Sequence, residues 1–96
     1  MKKKNIVNDI IDSAMDMYVG GPNREFRLWV TPKVYKKIEK VIRAYVQTDY
    51  RVSGVTKNNG DTEYGIKTFT IMGLIFYVSI DDTIKDFKLI KIHGEI

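Results

Sequence analysis

The sequence predicts an α+β domain: a sheet of about five strands, antiparallel or mixed, with two amphipathic helices. Three observations carry this expectation. Apolar residues recur at helical spacing in two stretches, residues 5–18 and 32–47. Beyond Gln47 the chain turns to short β-branched and aromatic runs, punctuated by Asn58-Asn59-Gly60, Gly73 and Asp81-Asp82. The element order is therefore αβαββββ without repeat or low-complexity linker, and 96 residues suffice for one core only.

Each element has a local reason. Ile6, Val7, Ile10, Ile11, Ala14 and Tyr18 share one helical face, with Asn8, Asp9, Asp12 and Asp16 on the other; Gly20, Gly21 and Pro22 stop this helix. From Arg24 to Val30, Phe26, Leu28 and Val30 alternate with Arg27 and Trp29, the period of two of a strand with one buried face. Thr31 then serves as an N-cap and Pro32 occupies the first helical position, where its missing N–H costs nothing. The second helix is expected to reach about Gln47, with Val34, Ile38, Val41, Ile42 and Tyr45 on one stripe. Tyr50 to Thr56 and Thr62 to Met72 form a hairpin around Asn58-Asn59-Gly60, where a primed turn with positive φ is expected. Leu74 to Ile80 is apolar enough for a central strand covered on both faces, and Gly73 before it marks a turn, bulge or close approach. Asp81, Asp82 and Thr83 turn the chain, and Phe87 to Ile92 closes the sheet with edge-guarding Lys88 and Lys91.

Composition narrows the function. The chain has no cysteine and one histidine, and it carries neither a phosphate-cradling glycine loop nor a nucleophile with a base beside it. No catalytic residue, cofactor or metal is expected, and the chain is expected not to be an enzyme. Adjacent Asp81 and Asp82 would point to opposite sides of an extended chain and suit a turn better than a carboxylate pair. His93 and Glu95 make at most two ligands. The Asn58–Thr62 loop lacks the spaced acids of a calcium site. Lys2, Lys3 and Lys4 resemble the start of a signal peptide, yet polar residues follow where an apolar run belongs. No stretch is long and apolar enough for a membrane span, so no membrane partner is expected.

Charge is unevenly distributed. Residues 1–60 hold twelve Lys or Arg against six Asp or Glu, and residues 61–96 hold four against six. Lys33, Lys36, Lys37, Lys40 and Arg43 line the second helix opposite its apolar stripe, interrupted only by Glu39. With Arg27 and Trp29 on the preceding strand, they are the candidate contact residues. Such a stripe tracks phosphates when an aromatic lies nearby, and it also serves as a solvated face that keeps a small domain in solution. Cations in the first two turns oppose the helix dipole, a mild misfit that a binding role would explain. Trp29 is either an interface anchor or a residue lying under a helix.

The runs Phe26 to Val30, Thr31-Pro32-Lys33-Val34-Tyr35 and Thr68-Phe69-Thr70-Ile71-Met72-Gly73-Leu74-Ile75-Phe76-Tyr77-Val78-Ser79 resemble the C-terminal part of tailed-phage major capsid proteins. In that family a strand ends in a Ser/Thr-Pro-x-x-Tyr-like helix start, and a later strand carries a glycine before its valine-rich continuation. The family's long N-terminal arm, extended loop and spine helix have no counterpart here. Nor does the glycine-aspartate that closes its last strand, around Lys85-Asp86-Phe87. The resemblance thus implies one capsid-like domain: a small phage-encoded structural or assembly protein, found in the host cytoplasm or the virion, that binds a protein partner or itself. The alternative expectation is a small phage inhibitor of a host defence nuclease, of anti-CRISPR type, or a nucleic-acid-binding module using the basic second helix.

Overall fold

The computed structural model of the chain describes residues 5–18, 23–44 and 48–92. It contains two helices, α1 (Ile6–Met17) and α2 (Pro32–Ala44), and five strands: β1 (Glu25–Val30), β2 (Asp49–Thr56), β3 (Thr62–Ile71), β4 (Leu74–Ile80) and β5 (Phe87–Lys91). The expected α+β class and element order hold. Gly20-Gly21-Pro22, the stretch from Tyr45 to Gln47, Lys2–Lys4, His93 and Glu95 lie outside the described residues.

Both helices start where their capping residues stand. The Asn5 side chain accepts the Val7 N–H at 2.9 Å and opens α1. Thr31 Oγ1 accepts the Val34 N–H at 3.2 Å, and Pro32 begins α2 as expected. Their apolar stripes, Val7, Ile10, Ile11 and Ala14 on α1 and Val34, Tyr35, Ile38 and Ile42 on α2, are buried in one core.

The sheet order is β2-β3-β4-β1-β5, with β1 and β4 parallel and every other pair antiparallel. The core face of the three inner strands carries Phe26, Leu28 and Val30 from β1, Leu74, Phe76, Val78 and Ile80 from β4, and Phe69 and Ile71 from β3. Phe26, Phe76 and Phe69 stand opposite one another across β1, β4 and β3, and their rings stack at 5.6 and 4.9 Å. Each such contact adds about 0.5–1.5 kcal/mol beyond burial. The two helices lie over this face.

Two local expectations are corrected. The primed turn is not at Asn58-Asn59-Gly60: that loop has three residues, closed by Lys57 N–H to Asp61 O at 2.8 Å, and only Gly60 adopts positive φ, at 94°. The primed turn joins β3 to β4 instead, with Met72 at φ 53° and Gly73 at 80°. β4 is central but not covered on both faces, because Ile75, Tyr77 and Ser79 are only half-buried. Helices cover a single face of the sheet.

The β2–β3 hairpin curls. Its register shifts between Arg51 and Val52, where Lys67 is the extra residue on β3. Beyond that point the end of β2 approaches the end of β4: Lys57 bridges Ile80, and the Asn58 N–H donates to Ile80 O at 3.1 Å. The arm is tied to α2 as well, since the buried Tyr35 hydroxyl donates to the Ile66 carbonyl at 3.1 Å.

Candidate functional site

The open face of the sheet follows from strand parity. With Phe26, Leu28 and Val30 turned to the helices, Glu25, Arg27 and Trp29 project the other way. Cross-strand register extends them into rows. Lys88, Trp29 and Ser79 form one; Ile90, Arg27, Tyr77, Thr68 and Arg51 form the next; Glu25, Ile75, Thr70 and Asp49 form a third. Arg27, Lys88 and Arg51 are exposed, as are Glu25 and Asp49, and Ile90 is 43% exposed.

Contacts within the face fix its aromatic rings. Lys88 Nζ lies 5.5 Å from the centroid of the Trp29 ring. The Tyr77 hydroxyl donates to Glu25 Oε2 at 3.3 Å, and partial burial, followed by the Glu25 carboxylate, raises its pKa above the usual range. The curled hairpin arm adds relief. A hollow of about 360 Å³ opens between Thr56 and Lys67 on the arm and Arg27, Tyr77 and Ser79 on the face. A sheet face with tryptophan, tyrosine and arginine at its middle has the residue types that anchor protein interfaces.

The basic stripe stands elsewhere. Lys33, Lys36, Lys37, Lys40 and Arg43 are all exposed, and the opposite side of α2 packs into the core. They therefore lie on the far side of the domain from Arg27 and Trp29, with the helix and the sheet between. The single cluster expected from the sequence is corrected to two surfaces. Helix parity turns the lysines outward while strand parity sends Arg27 and Trp29 through the opposite face, so closeness in sequence is undone by the change of period. Trp29 does not lie under a helix; it is half-buried on the open face.

Within the stripe, Arg43 reaches Glu39 Oε2 at 3.8 Å and lies 5.7 Å from the Tyr50 ring centroid. No ion pair involves Lys33, Lys36, Lys37 or Lys40 among the described residues.

The remaining sequence candidates resolve into turn chemistry. Asp81 Oδ1 accepts from the Thr83 hydroxyl at 2.6 Å and from its N–H at 2.9 Å, which lowers the Asp81 pKa. Asp82 accepts instead from the Asn58 side chain at 3.2 Å, so the two carboxylates do not work together. Asn59 and Asp61 bond each other at the hairpin tip. Among the described residues no group of three His, Cys, Asp or Glu is placed to hold a metal ion, and no helix is long and apolar enough to cross a membrane.

Sequence reasoning did not identify Tyr77, Lys88 and Ile90 as members of the open face. Their alternation with buried neighbours was legible, but which strands adjoin β1 was not. Comparison with known protein families, with curated proteins and with solved structures finds no match to this chain.

Proposed function

We propose that this chain is a non-enzymatic structural or assembly protein of the phage capsid-domain kind, working in the host cytoplasm or the virion through contacts between its own copies. The observation that carries the reading is the open face of the sheet, with Trp29, Tyr77 and Arg27 at its centre. A contact between like copies needs a self-complementary surface. This face carries cations and anions side by side, with Arg27, Lys88 and Arg51 beside Glu25 and Asp49. The arginine and aromatic rings of one copy can therefore meet the rings and carboxylates of another. The capsid-like runs supply the elements that hold this face, with Thr31-Pro32 starting α2 directly after β1 and Met72-Gly73 joining β3 to β4. Light scattering on a sizing column tests the reading. Oligomers that persist at high salt without nucleic acid are expected, and a monomer at every concentration would overturn it.

A second reading is favoured by the exposed basic stripe of α2, with Lys33, Lys36, Lys37 and Lys40 free of ion pairs among the described residues. Here the chain is a small phage inhibitor of a host nuclease, or a nucleic-acid binder, that lays α2 along an acidic groove or a phosphate backbone. Its affinity would fall steeply with salt, by about 0.7–0.9 logarithmic units per neutralised phosphate for each tenfold rise. The same sizing run with mixed nucleic acid separates the readings: a small species shifted by nucleic acid only at low salt belongs to the second.

A further inference from the structure

The hairpin tip between β2 and β3 holds a chemistry of its own. Asn59 is the one asparagine in the chain that glycine follows. A side-chain amide in that place reacts with the next backbone nitrogen, and glycine favours the attack because no Cβ crowds its N–H. The surroundings are open: Asn59, Gly60 and Asp61 are exposed, and a Cβ built on Gly60 would meet nothing within 4 Å. In the closed tip, however, both reacting groups are engaged. The Gly60 N–H donates to the Lys57 carbonyl at 3.0 Å. Asn59 Oδ1 accepts the Asp61 N–H at 2.9 Å, and Asn59 Nδ2 donates to Asp61 Oδ2 at 3.3 Å. Attack on the amide requires the tip to give up these bonds, so its rate reports local opening.

We propose that Asn59 is a self-modification site, held in check by Lys57 and Asp61 and converted when the tip opens. The Gly60 nitrogen attacks Asn59 Cγ and forms the new N–C bond of a cyclic succinimide. The Cγ–Nδ2 bond breaks, and Nδ2 leaves as ammonia with the proton from the Gly60 N–H. Solvent water then adds to one of the two ring carbonyls and breaks its bond to the Gly60 nitrogen, giving aspartate or isoaspartate at position 59. Water is consumed, ammonia is released, and nothing is oxidised or reduced. The change runs one way, because the Nδ2 donor is gone. In the aspartate product a carboxylate stands toward the Asp61 carboxylate where an amide bonded it, and isoaspartate adds a methylene to the main chain of the loop. Either product falls beside the tie between arm and sheet. The Asn58 N–H donates to Ile80 O at 3.1 Å, its side chain donates to Asp82 at 3.2 Å, and Asn58 lines a hollow of about 130 Å³ with Trp29.

The full chain, aged in one mildly alkaline buffer with and without unfolding urea, tests the assignment. Peptide mass mapping and enzymatic methylation of isoaspartate follow each asparagine. Position 59 should convert ahead of Asn5, Asn8, Asn23 and Asn58. It should convert about tenfold or more slowly in the folded protein than in urea, as opening several hydrogen bonds requires. Asp61→Ala, at an exposed position, should narrow that ratio by about threefold or more, because it removes the acceptor of Asn59 Nδ2. Asp61→Asn keeps an acceptor oxygen and should retain most of the protection. Comparing each variant with itself in urea removes any effect of the substitution on the chemistry. Equal rates in the two solvents, a ratio that Asp61→Ala leaves unmoved or that Asp61→Asn narrows as much, or earlier conversion at another asparagine would overturn the proposal.

Discussion

Gly65→Ala should destabilise the protein far more than an exposed glycine substitution on a strand, and Tyr35→Phe should relieve much of that cost. A Cβ added at Gly65 would overlap the Tyr35 hydroxyl, with Glu39 Oε2 at 3.0 Å and Tyr35 Cζ at 3.1 Å. Glu39 can swing away, but Tyr35 is fully packed and its hydroxyl holds the Ile66 carbonyl at 3.1 Å. Forcing the ring aside adds an overpacking cost of about 1–3 kcal/mol and loses a hydrogen bond worth about 1 kcal/mol. Gly65→Ala alone should therefore cost about 3 kcal/mol, and Tyr35→Phe alone about 1. With the hydroxyl gone, the added methyl needs only a few tenths of an ångström from Cζ, so the double variant should lie near 2 kcal/mol. The assay is urea unfolding of all four proteins at equilibrium. The expected coupling is about 2 kcal/mol, and costs that add to within about 0.5 kcal/mol would refute the docking of α2 on the hairpin arm.

Three further outcomes follow from the same structure. The Tyr35 pKa is pushed well above the usual 10.0, by burial first and then by the Glu39 carboxylate. The fold thus holds the neutral phenol; this stability is whole below pH 10 and is lost as pH rises past it toward the folded value, by up to about 1.4 kcal/mol per unit. Tyr35→Phe should flatten that alkaline slope in urea melts, and an unchanged slope would contradict the burial of the hydroxyl. Replacing Lys36, Lys37, Lys40 and Arg43 by Glu should leave the circular dichroism spectrum intact and cost no more than about 2 kcal/mol, as exposed positions do; loss of the fold would refute the outward placement of that stripe. Trp29→Ala should weaken self-association by about 2 kcal/mol or more, roughly thirtyfold, without unfolding, as measured by sedimentation equilibrium.

What was legible in the sequence was whatever a short window decides. Asn5 and Thr31-Pro32 act within three residues of themselves, and their helices begin where they stand. Burial in β1 follows its alternation residue by residue. The primed turn escaped because Asn59-Gly60 is the stronger local signal. The chain instead places a three-residue loop there and bends most tightly at Met72-Gly73, where β3 and β4 pair directly across Ile71 and Leu74. The long-range pairings lay beyond reach. Nothing local says that β1 inserts between β4 and β5, and that insertion is what gathers Trp29, Tyr77 and Lys88 on one surface. The change from strand to helix period separates Arg27 and Trp29 from the lysines of α2, which the sequence alone placed together.

Trp29 is the chain's single tryptophan, so its fluorescence reports on the open face without a label. Emission should shift to the blue and gain protection from iodide as protein concentration rises at high salt, in step with light scattering, and both changes should reverse on dilution. That result would place the copy-to-copy contact on the open face. A wavelength and quenching constant that stay those of a half-exposed indole while oligomers form would put the contact elsewhere, and an absence of oligomers would contradict the account altogether.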